Sequence, residues 1–75
     1  MEAMERLLEF PLQGSAFVEL DALLKLTGLC DTGGMAKNAI ADRRVRVDGT
    51  VELRRRCKIR TGQTVDFGGH TIAVR

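Results

Sequence analysis

The sequence predicts a small α+β domain, and three observations support this fold class. Two segments in the first half of the chain carry apolar residues at helical spacing. Two turn signals in the second half, Asp48-Gly49 and Gly68-Gly69, each separate segments in which apolar and polar residues alternate, which is typical of antiparallel hairpins. A short apolar run, Leu7 to Leu12, contains Pro11 and predicts an N-terminal strand at a sheet edge or strand end.

The two helical segments have recognisable ends. The first is followed by Gly28, a residue that commonly ends helices, and the second is preceded by Asp31 and Thr32, either of which can act as its N-cap. Gly33 and Gly34 leave two interpretations open, an anion site at the exposed N–H groups of the helix or simply a weak first turn. The residues expected on the buried faces are Leu20, Leu23, Leu24 and Thr27 in the first helix and Met35, Ala36, Ala39 and Ile40 in the second.

The parity of the alternating pattern predicts the register of the first hairpin. A two-residue loop at Asp48-Gly49 would pair Arg46 with Val51 and mix charged and apolar residues on each face. We therefore expect a loop one residue longer, or a bulge, with Gly49 at positive φ. In this register the core face would hold Val45, Val47, Val51 and Leu53, and the opposite face Arg44, Arg46 and Glu52.

The alternation continues to the end of the chain. Cys57 and Ile59 are expected to point inward, and a two-residue loop at Gly68-Gly69 pairs Val65 with Ile72, which keeps the apolar side chains on one face. The residues expected to point outward between these segments are Arg56, Lys58 and Arg60.

Nearly all the charge between residues 43 and 60 has one sign. Only Asp48 and Glu52 are acidic, whereas the basic residues are Arg43, Arg44, Arg46, Arg54, Arg55, Arg56, Lys58 and Arg60. The guanidinium group matches phosphate oxygens in a bidentate geometry, while a surface charged only for solubility would mix both signs. The cluster therefore indicates a nucleic acid partner rather than a merely solvated face, although the whole chain carries a net charge of only +2.

Several other function classes lack the residues they need. His70 and Ser15, the single histidine and serine, lie far apart in sequence, so no nucleophile and base are paired, and an enzyme is not expected. Neither of the glycine-rich phosphate-binding motifs, G-x-x-x-x-G-K-[ST] and G-x-G-x-x-G, occurs in the sequence. We therefore expect no small-molecule substrate and no cofactor. Cys30 and Cys57 are expected to be buried packing residues, and with one histidine they cannot complete a four-ligand structural zinc site unless a carboxylate serves as an unusual ligand. Without a signal peptide or membrane-spanning run, a cytoplasmic location and no membrane partner are expected.

The aromatic residues indicate which nucleic acid fits best. Phe10, Phe17 and Phe67, the only aromatic residues, all fall where core packing can use them. Modules that read single strands expose aromatic side chains to stack bases. We therefore expect contact with the phosphate backbone of folded or helical RNA rather than base stacking.

Four segments in order, "ELDALLKL", "GMAKNAI", "VRVDG" and "GQTVDF", resemble the RNA-binding domain typified by ribosomal small-subunit protein S-four, the αL motif. The likeness spans residues 18–67 and is greatest to small stand-alone bacterial members of the YbcJ-like type. It implies two short helices packed on a small curled, mostly antiparallel sheet, with a basic groove between helices and sheet for structured RNA, of which ribosomal RNA is one candidate. Many members have arginine at the position of Glu19 and Ser-Arg at the position of Gly33-Gly34. Because this chain lacks those residues on its helices, its RNA binding is expected to depend mainly on the hairpin.

The resemblance and the charge pattern together give the expected site. Asp48 and Gly49 would form the structural turn of the motif, within one RNA-binding domain over residues 1–75. Two alternatives remain, a small protein-interaction adaptor and a β-grasp-like carrier, although carriers end in a free Gly-Gly and Gly68-Gly69 is followed by residues 70–75. The residues expected to contact RNA are Lys37, Arg43, Arg44, Arg46, Arg54, Arg55, Arg56 and Lys58.

Overall fold

The computed structural model describes residues 6–75 and shows an α+β fold with two short helices and a mixed main sheet. The elements in chain order are β1 (Arg6–Phe10), β2 (Val18–Glu19), α1 (Leu20–Leu26), α2 (Gly33–Ala41), β3 (Val45–Val47), β4 (Thr50–Val51), β5 (Lys58–Ile59), β6 (Thr64–Phe67) and β7 (His70–Val74).

The strands form two separate sheets. The main sheet has the order β1-β7-β6-β3-β4, in which only the β1–β7 pair is parallel. Strands β2 and β5 pair antiparallel in a second sheet. The predicted N-terminal strand is confirmed at the edge of the main sheet, although it ends at Phe10 rather than Leu12. Pro11 follows at once and has no N–H to donate to a ladder.

One apolar core joins the helices to both sheets. In the main sheet Val47, Val65 and Ile72 stand opposite one another across β3, β6 and β7, and all three are buried. In the second sheet Val18 pairs with Ile59, which is fully buried. The buried apolar residues are Leu12, Leu20, Leu23, Leu24, Cys30, Ala36, Ala39, Ile40, Val45, Val47, Ile59, Val65, Ile72 and Val74.

The helix ends agree with the sequence signals, but two residues expected on buried faces lie outside the core: Met35, and Thr27, which is half-buried and follows α1 as its C-cap. Gly28 lies at φ 81° just after α1, and Thr32 rather than Asp31 caps α2, its Oγ1 accepting from the Met35 N–H at 3.1 Å. Met35 was expected in the core but is exposed. It lies about 100° around the helix from the buried Ala36, at the border of the inward face.

The predicted odd-length register of the first hairpin is wrong. Arg46 pairs with Val51 across a two-residue loop in which Asp48 has φ 51° and Gly49 has φ 85°. Val51 and Leu53 are therefore 36% and 52% exposed rather than part of the core face. The parity rule assumed a strand that runs through Leu53, but β4 ends at Val51, so no extended apolar face had to be preserved.

A contact with β6 fixes the tight loop. The Asp48 N–H donates to the Thr64 carbonyl at 2.8 Å, and Asp48 Oδ1 accepts from the Thr64 N–H at 2.9 Å.

The second hairpin has the predicted two-residue loop, with Val65 opposite Ile72. The positive φ predicted for Gly49 is confirmed.

Replacing Gly49 with valine should destabilise the protein by about 1–2 kcal/mol. The residue occupies the left-handed region, which a β-branched side chain rarely adopts, and an added Cβ would meet open space. The cost therefore comes from backbone strain alone. Urea unfolding measures it, with Gly49→Asn as the matched variant that should lose less, since asparagine tolerates this region. Equal stability of Gly49→Val and wild type would contradict this account.

Candidate nucleic-acid interface

All eight side chains expected to contact RNA are exposed, and they belong to different elements of the fold. The chain leaves the main sheet after Val51 and joins the second sheet at β5, so the supposed single hairpin is divided. We call residues 54–60 the basic segment; it contains Arg54, Arg55, Arg56, Lys58 and Arg60. The remaining candidates, Lys37, Arg43, Arg44 and Arg46, belong to α2, β3 and the link between them.

The backbone of the basic segment is held against the start of α1. The Leu20 N–H donates to the Cys57 carbonyl and the Asp21 N–H to the Arg55 carbonyl, both at 2.9 Å. Glu19 at the N-cap makes no side-chain hydrogen bond to the helix, so these carbonyls satisfy two donors that would otherwise lack partners. The basic segment thus has a fixed path, while its charged side chains remain in solvent.

A turn within the basic segment exposes Arg55. The Cys57 N–H donates to the Arg54 carbonyl at 3.1 Å, so the chain bends here instead of continuing as a strand. In a regular strand Arg55 would point inward, but at this bend it is exposed.

Cys57 was expected to be a buried strand residue, but it is half-buried and precedes β5. Cys30 is buried as predicted.

Arg54 is paired with the neighbouring Glu52. Its Nε and Nη2 donate to Glu52 Oε2 at 3.0 Å and Oε1 at 3.2 Å, and its backbone N–H donates to Oε2 at 2.9 Å. The Arg54 side chain bonds, followed by the backbone bond, lower the pKa of Glu52 from 4.5 to about 2. No carboxylate of residues 6–75 forms an ion pair with Arg55, Arg56 or Lys58. These three charges are therefore available to an anionic partner.

The Glu52–Arg54 pair should respond to acid. Because the folded-state pKa of Glu52 is depressed, the pair contributes stability above pH 4.5, and this contribution is lost as pH falls towards 2. Carbon-detected NMR of the Glu52 carboxyl should give a midpoint near 2, which Arg54→Ala shifts towards 4.5. Arg55→Ala is the control and should leave it unchanged. A midpoint near 4.5 in wild type would contradict the pairing.

The side chains of the basic segment border an open depression of about 470 Å³. Its lining is Arg54, Arg56, Cys57, Lys58 and Arg60. Arg60 was not among the residues expected to contact RNA, although the alternation placed it outward with Arg56 and Lys58. Its N–H donates to Gln63 Oε1 at 2.8 Å, and Gln63 Nε2 donates to Asp48 Oδ2 at 3.2 Å. This chain of bonds links the end of the basic segment to the turn of the first hairpin.

Phe17 lies beside the basic segment and was wrongly expected in the core. It is half-buried but does not pack against the core cluster. Lys58 Nζ lies 5.0 Å and Arg60 Cζ 5.7 Å from the centroid of its ring. The β2–β5 pairing explains this position, because Val18 opposite the buried Ile59 faces inward and its neighbours face outward.

A second depression, of about 350 Å³, lies at the end of the β6–β7 hairpin. Arg44 and Arg46 line part of it, and Arg44 Cζ lies 5.4 Å from the centroid of the Phe67 ring. Asp66 also lines it and stands opposite Arg46 in the sheet. This depression is less positive than the one beside the basic segment, because it includes a carboxylate.

Lys37, Arg43 and Arg55 line neither depression. Lys37 lies on the exposed side of α2, and Arg43 follows the helix with φ 64°, its N–H donating to the Ile40 carbonyl at 3.1 Å. Neither of these two depressions collects every candidate side chain, and a single groove that does so stays a prediction. The basic segment holds five basic residues among seven and no acidic one.

His70, the single histidine of the sequence, lines the depression at the end of the β6–β7 hairpin. His70 begins β7, and its Nδ1 lies 3.1 Å from the Gly68 carbonyl oxygen, within its own turn. Residues 6–75 hold no cluster of histidine, cysteine and carboxylate side chains that could bind a metal ion. No helix in this part of the chain is long and apolar enough to cross a membrane.

Comparison with known proteins identifies the class to which this architecture belongs. The sequence model of the S4 domain matches residues 10–75, and the chain belongs to the S4 domain family. It is 54% identical over 65 residues to the Escherichia coli (strain K12) protein named "Putative RNA-binding protein YbcJ", covering 87% of this chain and 93% of the relative. The same identity and coverage hold for YbcJ of Shigella flexneri, which is named as uncharacterized.

The fold of this chain is also that of YbcJ. The solution structure of the Escherichia coli protein superposes with a TM-score of 0.71 at 49% sequence identity, covering 99% of this chain and 94% of that one. That structure is described as revealing an αL motif involved in RNA-binding. The resemblance inferred from the four sequence segments is confirmed, and so is the α+β fold of the αL motif.

Proposed function

We propose that this chain is a non-catalytic RNA-binding module that contacts the phosphate backbone of structured RNA, mainly through the basic segment. Further contacts outside the basic segment come from Lys37, Arg43, Arg44 and Arg46. Residues 1–75 act as one domain in this proposal, with Asp48 and Gly49 holding the turn. The proposed place of action is the cytoplasm, where ribosomal RNA is one candidate target.

The observation that carries the proposal is the set of unpaired cations on a fixed backbone. Arg55, Arg56 and Lys58 form no ion pair within residues 6–75, and the carbonyls of this segment are anchored to the first turn of α1. Exposed like charges held close together repel one another, which an anionic partner relieves. Arginine also offers a planar pair of donors that suits phosphate oxygens. The name of the relative YbcJ and the description of its αL motif agree with an RNA partner.

Structured RNA fits this surface better than an extended single strand. A backbone path fixed by hydrogen bonds to α1 holds the attachment points of these side chains in a constant arrangement, which suits phosphates that are themselves held in place by a helix. Single-strand binding domains instead carry rows of exposed aromatic residues on which successive bases stack. The described surface has no such row, since Phe10 and Phe67 pack against the core.

Filter binding of three nucleic acids tests the proposal. Wild-type protein should bind an RNA hairpin with a long stem more tightly at low salt than either a single-stranded RNA or a DNA duplex of equal phosphate number. Phosphate contacts alone give micromolar or weaker non-specific binding, so a preference for the RNA stem measures recognition of its shape. Absence of binding to the stem at low salt would overturn the proposal and leave a protein-interaction role as the alternative.

A further inference from the structure

We propose that Phe17, together with Lys58 and Arg60, forms a stacking site for one unpaired base of the bound RNA. The site lies beside the basic segment, so the ligand would be an RNA stem interrupted or ended by an unpaired nucleotide. This inference rests on the proposed function and deepens it, because it names the kind of structured RNA that the surface fits.

The ring of Phe17 is covered by flexible cations rather than by the core. Lys58 Nζ and Arg60 Cζ lie 5.0 and 5.7 Å from the ring centroid, and both side chains are exposed. The half-buried Phe10, by contrast, packs against the core cluster. Long exposed side chains such as these can shift at little cost, so they can open the ring to a ligand and then lie against that ligand.

The chemistry around the ring matches a nucleotide rather than an apolar ligand. An aromatic face stacks any of the four bases, and an arginine guanidinium adds a second planar surface. The phosphate of a nucleotide lies one sugar away from its base, so a base placed on Phe17 brings its phosphate towards the surrounding cations. Arg56 lines the same depression as Lys58 and Arg60, which extends the positive surface from the ring into the basic segment.

A paired stem cannot supply such a base, because its bases are already stacked within the helix. A bulged nucleotide or an unpaired nucleotide at the end of a stem is free to leave the stack. The proposed ligand is therefore a stem with an adjacent unpaired base: the basic segment contacts phosphates of the stem, and Phe17 receives the base.

Two RNA hairpins that differ by one nucleotide test this inference, both blunt-ended and closed by a non-nucleotide linker, so that the paired hairpin offers no unpaired base. They share the same stem, and one carries a single-nucleotide bulge of 2-aminopurine, whose fluorescence falls when it stacks. Wild-type protein should bind the bulged hairpin more tightly and quench its fluorescence. Phe17→Leu should abolish the quenching and weaken this complex by at least about fivefold, while binding the fully paired hairpin as wild type does. The unchanged binding of the paired hairpin also shows that the variant is folded.

Phe10→Leu is the matched control, since it removes a phenylalanine ring that packs against the core. It should keep both the quenching and the preference for the bulged RNA. Equal affinity of wild-type protein for the two hairpins would overturn the stacking site and leave the proposed function standing, as would an equal loss for both hairpins in Phe17→Leu. Failure of wild-type protein to bind either hairpin would overturn the proposed function and this inference with it.

Discussion

Replacing Val47 with aspartate is expected to unfold most of the protein at room temperature. The side chain is 9% exposed and stands between Val65 of β6 and the end of the first hairpin, facing the core. A carboxylate there would be buried without a partner, which costs several kcal/mol. A domain of this size has a total stability on the order of 3–5 kcal/mol, so one such substitution removes most of it. Circular dichroism during urea or thermal unfolding measures the loss.

Arg46→Asp is the control for the neighbouring position on the other face of β3. The Arg46 side chain is exposed, and the only expected cost is repulsion from Asp66, which stands opposite it, at roughly 0.2–1 kcal/mol. This variant should therefore melt close to wild type. Equal melting temperatures for Val47→Asp and Arg46→Asp would show that the assignment of the two faces is wrong.

Replacing Arg54, Arg55 and Arg56 together with alanine should flatten the salt dependence of RNA binding. Each phosphate that the protein neutralises contributes about −0.7 to −0.9 to the slope of log affinity against log salt concentration. The slope of the variant should therefore be less steep by this amount for each phosphate contact that it has lost. Arg54 should contribute least, because Glu52 already holds its guanidinium group. Affinity for stems of the same shape and different sequence should fall about equally, since phosphate contacts carry no base identity.

The fold of this triple variant should survive. The hydrogen bonds that anchor the segment to α1 use the carbonyls of Arg55 and Cys57, which alanine retains. The Glu52–Arg54 pair that the variant lacks is solvent-facing on the arginine side, so its loss should cost little stability. Circular dichroism should confirm a folded variant before binding is measured. An unchanged salt slope in that folded variant would contradict the assignment of phosphate contacts to this segment.

The fold could be predicted largely from local patterns, and the exception had a tertiary cause. Apolar spacing and terminal signals located both helices, and parity gave the correct register at Gly68-Gly69, where both strands are long enough to show alternation. At Asp48-Gly49 the same rule failed because β4 stops at Val51. The tight turn is held by the bonds between Asp48 and Thr64, sixteen residues further on, which no local pattern reveals.

The candidate site shows the same division between local and tertiary information. Its basic side chains are all exposed, as the one-signed charge pattern predicted. Their grouping depends on where the chain leaves one sheet and enters another, and this follows from the pairing of β5 with β2. Strand β2 is two residues long, too short to show alternation, so nothing in the sequence marked Phe17 as a residue outside the core.

Comparison of two variants with the same net charge tests most directly whether the basic segment binds RNA. Arg56→Ala/Lys58→Ala removes two cations from this segment, and Lys25→Ala/Arg75→Ala removes two from α1 and the end of the chain, all four being exposed. Binding of one RNA stem to both variants is measured by mobility shift at a single low salt concentration. We expect the first variant to lose at least about tenfold in affinity and the second to stay within about twofold of wild type, because neutralised phosphates, not total charge, set the affinity. Equal losses in the two variants would contradict the assignment of RNA binding to the basic segment.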